Sequence, residues 1–179
     1  MKLKHLLLSI LTIFISLTGC SHNESSANET AESFSDKEEA TRHFLQENPK
    51  SDIEYIQTTE DDDLFIERSG NHQYRVHGMK KENEEFSVVK LTASLSLHNS
   101  NAGSGEFTSS DRNEYTFLIV KKGSLDELNA DTRNTYTVSP IYSGDAELSL
   151  TKNDDLKSPA NVIQTSEMIA DSNSSASKE

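Results

Sequence analysis

From Phe86 to Leu97 the chain reads FSVVKLTASLSL. Val89, Leu91, Ala93, Leu95 and Leu97 fall on one side of an extended chain, and Lys90, Thr92, Ser94 and Ser96 fall on the other. A helix would mix the two sets, because its side chains recur every ~3.6 residues rather than every two. The run therefore predicts an antiparallel strand with one face in a core and one in water. Such a strand is not stable alone, so the rest of the chain must supply a sheet for it.

The neighbouring segments predict that sheet and one helix. Ser35 followed by Glu38 has the spacing of a capping box ahead of DKEEATRHFLQEN, whose narrow apolar face is Ala40, Thr41, Phe44 and Leu45. Asn48-Pro49 stops this helix. Beyond Pro49 the pattern turns to strands: DIEYIQTT, with Ile53, Tyr55 and Ile56, then LFIERS, then HQYRVHGMKK with Tyr74 and Val76. EDDD, Gly70-Asn71 and ENEE separate them as turns. YTFLIVKK is apolar on both faces, which predicts a central strand. GSLDELNADTRN has room for one helical turn behind a second capping box, Ser124 and Glu127. TYTVSPIYS and AELSLT read as the last strands, with Pro140 putting the first of them at an edge or a bulge. No internal repeat is found. The expected fold class is α+β, one N-terminal helix packed on an antiparallel β meander. In element order this resembles the cystatin-like and NTF2-like arrangements. A small lipocalin-like β-barrel is the alternative.

The N-terminus has a different character. Lys2 and Lys4 precede LLLSILTIFISL, an apolar run of about twelve residues, where a membrane-spanning helix needs ~20. Leu17-Thr18-Gly19-Cys20 follows. This ordered series of charge, apolar run and cysteine resembles the type II signal peptide and lipobox of bacterial lipoproteins, with Leu17, Gly19 and Cys20 at the recognition positions. The resemblance implies a thioether between Cys20 and a diacylglycerol, cleavage by signal peptidase II before Cys20, and a lipid anchor on the outer face of a cell membrane. Two acyl chains anchor a protein stably where one does not. Cys20 is the only cysteine, so the folded part must stand on its own core without a disulfide.

The expected organisation is thus a signal peptide over 1–19, a lipidated flexible tether over 20–34, one globular domain over 35–164 and a disordered tail over 165–179. The tether sequence SHNESSANETAES has too little apolar surface to order itself, and as a coil it would span roughly 20 Å. The formal net charge is −13, and loss of the signal peptide removes two lysines and no acid. A surface this acidic repels phosphate backbones and anionic headgroups, so no nucleic-acid partner is expected.

Candidate chemistry is sparse. Ser69-Gly70-Asn71-His72 spells the name of a hydrolase family, but four contiguous residues in a turn cannot converge on one carbonyl, and no G-x-S-x-G elbow occurs. Glu60 to Asp63 is the densest acidic cluster, yet it lacks the spacing of a calcium loop and reads as a solvated turn. His72 and His77 fall on opposite sides of one strand, and His43 sits one helical turn from Glu39 and Glu47. No histidine spacing points to a metal. No cofactor and no catalytic residue is expected. The expected function is a membrane-anchored extracytoplasmic lipoprotein, a non-catalytic binding or accessory module with an envelope protein as its partner. The alternatives are a small-ligand carrier with a barrel cavity and an envelope enzyme with a scattered active site. Residues 98–114, HNSNAGSGEFTSSDRNE, read as a polar loop of about seventeen residues, past the ~12–15 usual for structureless loops. The stretch is read either as a disordered surface insertion or as a recognition loop in which Phe107, its large apolar side chain, is the possible partner contact.

Overall fold

The computed structural model describes residues 32–70, 72–124, 146–153 and 161–172. Helix α1 (Lys37–Glu47) starts from Asp36, whose carboxylate accepts the Glu39 amide at 2.7 Å. The cap lies one residue later than the expected Ser35–Glu38 box. Ser35 instead donates from its hydroxyl to the Glu39 carboxylate at 3.4 Å. Aspartate caps as well as serine does, and its charge also suits the positive end of the helix. At the other end the Asn48 side chain donates to the Phe44 carbonyl at 2.8 Å, and Pro49 follows.

Four hairpin strands come next: β1 (Asp52–Thr58), β2 (Asp63–Ser69), β3 (Gln73–Glu82) and β4 (Glu85–Lys90). Asn83 and Glu84 both have positive φ between paired Glu82 and Glu85, so the β3–β4 connection is a two-residue turn of the kind whose twist matches a hairpin. The long alternating run does not stay one strand. It breaks after Lys90 and resumes as β5 (Leu95–Ser96), which pairs with Tyr74 and Gln73 further along β3. At the break, Leu91 N and Thr92 N both donate to Val76 O, and Thr92 Oγ1 accepts from Val76 N at 2.9 Å. The bulge absorbs an even number of residues, so Leu91, Leu95 and Leu97 still face the core as their spacing predicts.

Residues 98–114 are not a loop. They contain β6 (Ala102–Thr108), which pairs with β7 (Glu114–Lys121), and β7 pairs in turn with β8 (Ala146–Lys152). β7 is central in this three-stranded sheet, as its two apolar faces predict. The last strand, β9 (Ile163–Ala170), lies antiparallel beside β1, which makes the order of the larger sheet β4-β3-β2-β1-β9 with β5 alongside β3. The fold therefore runs past 164 into residues expected as a tail. The described residues all belong to one compact unit, Ala31–Glu179. Of the second capping box, Ser124 is described and Glu127 is not, and the TYTVSPIYS strand also lies outside the described residues.

The architecture is α+β in three layers. The main core fills the space between the two sheets with Ile56, Leu64, Ile66, Tyr74, Val76, Leu97, Tyr115, Phe117, Ile119, Leu148 and Leu150 among others. A smaller cluster, Phe44, Ile53 and Phe65, lies between α1 and the opposite face of the larger sheet. The two sheets are separate and do not close into a barrel.

Candidate functional site

The site grows out of an incomplete covering of one sheet face. α1 packs along β4 and turns Ala40 and Phe44 inward. The Phe44 ring lies 5.5 Å from Phe65 and 4.8 Å from His77. The adjoining stripe of the helix, Thr41 and Leu45, is half-buried and overhangs a floor made by Tyr55, Phe65, Met79 and Ile169 from four different strands. An eleven-residue helix is too short and too far to one side to cover this floor. What remains is an open cleft of about 510 Å3, within the size range of small-ligand sites.

One end of the cleft is polar. Asp63, Phe65 and Glu67 alternate along β2 with their side chains toward the helix. Tyr55 pairs directly with Phe65 across the strands, so its hydroxyl reaches the diagonal neighbour, Asp63. It donates to Asp63 Oδ1 at 2.5 Å. Asp63 Oδ2 pairs with Lys37 Nζ from the first turn of α1. The Asp63 side chain is 7% exposed and that of Lys37 is 58% exposed. Burial, reinforced by the Asp63 carboxylate, pushes the Tyr55 hydroxyl far up from its ordinary range. Tyr55 is therefore a hydrogen-bond donor at neutral pH and not a base.

Further along the same face, Glu67 is 2% exposed and fully paired. It accepts from Ser51 Oγ at 2.9 Å, from Arg75 at 3.2 Å and from His77 Nε2 at 2.9 Å. An ionised carboxylate only accepts, so His77 carries its proton on Nε2. The bond from His77, with those from Ser51 and Arg75, outweighs burial and holds the Glu67 carboxyl down at about 2. The order is serine, carboxylate, imidazole. Ser51 thus has on its hydroxyl a carboxylate too weakly basic to take its proton, with the imidazole on the far side, and the arrangement locks strands together rather than activating a nucleophile.

The acidic cluster divides in two. Glu60 and Asp61 form an exposed turn, with Asp61 at positive φ. Asp62 and Asp63 are buried, which corrects the reading of all four as a solvated turn. Asp62 accepts from the Tyr115 hydroxyl and from Asn113 Nδ2, and its amide donates to Thr58 Oγ1 at 3.0 Å, so it ties the β1–β2 turn to the start of β7. His43 pairs with Glu47 at 3.6 Å and with Glu32 at 3.1 Å. His72 Nδ1 lies 3.3 Å from the Tyr74 hydroxyl. Among the described residues no group of three or more His, Cys, Asp or Glu is placed to hold a metal ion.

Phe107, expected as an exposed anchor on a recognition loop, is a core residue of β6. It is 6% exposed and packs against Tyr115 and Phe117 at 5.4 and 6.1 Å between ring centroids. Leu17, Gly19 and Cys20 lie outside the described residues. Among those residues no helix is long and apolar enough to cross a membrane. Of the cleft residues, Lys37 and Tyr55 were not singled out for function by sequence, and Asp63 was weighed only as part of the acidic cluster. The available signal was the alternation of Asp63 with Phe65, which puts that acid on a buried face. No protein-family model, curated protein or solved structure matches the chain.

Proposed function

We propose that this protein is a membrane-anchored extracytoplasmic lipoprotein whose folded domain is a non-catalytic binding module, with the cleft beside α1 as its binding site. The observation that carries the binding reading is the cleft itself, an apolar floor with a fixed carboxylate at one end. The run from Lys2 to Cys20 supports the anchor. The helix laid on one face of an antiparallel sheet supports a cystatin-like or NTF2-like arrangement for the larger sheet, with the β6–β8 sheet as an addition behind it. In this reading Cys20 bears the lipid, residues 20–34 are the leash, and an envelope component is what the module meets.

The anchor is tested by Cys20→Ala with metabolic labelling by an alkyne fatty acid. The expected outcome is loss of label and release of the protein from the membrane fraction. A variant that stays processed and membrane-bound to the wild-type extent would overturn the lipid anchor.

A further inference from the structure

The cleft is not a neutral surface. Its polar end is a carboxylate that is nearly all buried, and the two oxygens of that carboxylate are held differently. Oδ1 takes the Tyr55 hydroxyl, which is fixed by strand pairing and by its ring contact with Phe65 at 5.6 Å. Oδ2 takes the tip of Lys37, a flexible side chain that is 58% exposed. Holding a lysine in one geometry costs side-chain entropy, and exposed pairs of this kind are weak. A buried carboxylate nevertheless needs a cation, because burying it unpaired is costly. Lys37 therefore closes the polar end as an exchangeable latch.

We infer that the cleft binds a small cationic amphiphile, a primary ammonium on an apolar body, whose ammonium takes the place of Lys37 at Asp63 while its body covers Phe65, Met79, Leu45 and Ile169. Three features select the cation over an anion. Asp63 is the buried charge of the cleft, whereas both cations on its lip are more than half exposed and already answered: Lys37 by Asp63, and Arg42 by Glu39 at 3.8 Å. The Tyr55 ring lines the cleft next to Asp63, and an aromatic ring favours an ammonium over a carboxylate. The net charge of −13 raises the local concentration of cations and lowers that of anions. The volume of about 510 Å3 fits a small molecule and is too small for a folded partner. This inference rests on the cleft being a binding site, as proposed above.

The test uses the full chain in nanodiscs, with empty nanodiscs as reference, titrated with n-hexylammonium and with hexanoate and followed by ligand-observed NMR. Hexylammonium is expected to bind saturably, and hexanoate about tenfold more weakly or worse. Lys37→Ala, on the exposed side of α1, is expected to tighten hexylammonium roughly two- to fivefold by removing the latch. Asp63→Asn, checked for an intact thermal transition, is expected to weaken it about tenfold. Unchanged or weaker binding by Lys37→Ala overturns the exchange. Hexanoate binding as tightly as hexylammonium overturns the cationic class while leaving the cleft a binding site. Absence of saturable binding by either probe removes both.

Discussion

Glu67 holds a full negative charge where almost no water reaches it, and three donors, Ser51 ahead of β1 and Arg75 and His77 on β3, make this tolerable. The consequence is a pH dependence with a defined sign. An ordinary glutamate titrates at 4.5, and this one at about 2 in the fold. Its contribution is therefore complete above about pH 4.5 and is lost as pH falls toward 2. Glu67→Gln removes the charge and leaves one acceptor oxygen, with a competing NH2, for Ser51, Arg75 and His77. It should cost about 3 kcal/mol at neutral pH. Denaturant unfolding of wild type and variant at pH 7, 4 and 2.5 should show the gap shrinking through the acid range. Asp52, whose carboxyl is also held low, is present in both proteins and drops out of the difference; there burial is the largest influence and raises it, but the Ser172 and Arg68 contacts together prevail. A gap that stays constant to pH 2.5 would remove Glu67 from the account of acid stability.

At the scale of elements, β6 and β9 show how a strand can exist without a sequence pattern that declares it. The inward face of β6 reads Gly103, Gly105, Phe107. The glycines look like loop residues, but a Cβ on Gly105 would lie 2.8 Å from two atoms of the Phe117 ring, and one on Gly103 would lie 2.8 Å from Leu97. They are there so that β6 can approach large neighbours closely. Gly105→Ala should destabilise by roughly 1–3 kcal/mol, because a ring packed on all sides cannot give way. Phe117→Leu should relieve part of this, so that thermal melts of the double variant fall short of the sum of the two single losses. Strictly additive losses would mean the ring does not feel the new methyl. β9 is legible for a different reason only in the structure. Residues 164–167 are exposed on both faces, and the strand is held at the sheet edge by its backbone ladder to β1. Truncation after Gln164 should lower the melting temperature by roughly 10 °C, since it strips the ladder from β1. An unchanged melting temperature would return these residues to the status of a tail.

Across the whole molecule, the legible parts were those that carry a local mark. The helix shows it as Ala40 and Phe44 buried on one face, the hairpins as turn residues around Gly70 and at Asn83-Glu84, and the central β7 as apolar residues on both faces. The second sheet was hidden because its first strand uses glycines for its core face. The cleft was hidden because it depends on where α1 stops short across the sheet, and spacing along the chain does not report that. The same chain also reveals how the domain takes a load. Phe34 meets Phe86 on β4 through two reciprocal backbone bonds of 2.8 Å each, an isolated bridge with no ladder behind it. Any tension arriving along the N-terminal chain reaches this pair before it reaches a continuous strand. The two bonds would peel one after the other, releasing the residues ahead of Asp36 while α1 stays packed on the sheet through Ala40 and Phe44. On the proposed tether the bridge would act as a mechanical fuse, giving way first under a tug and sparing the fold.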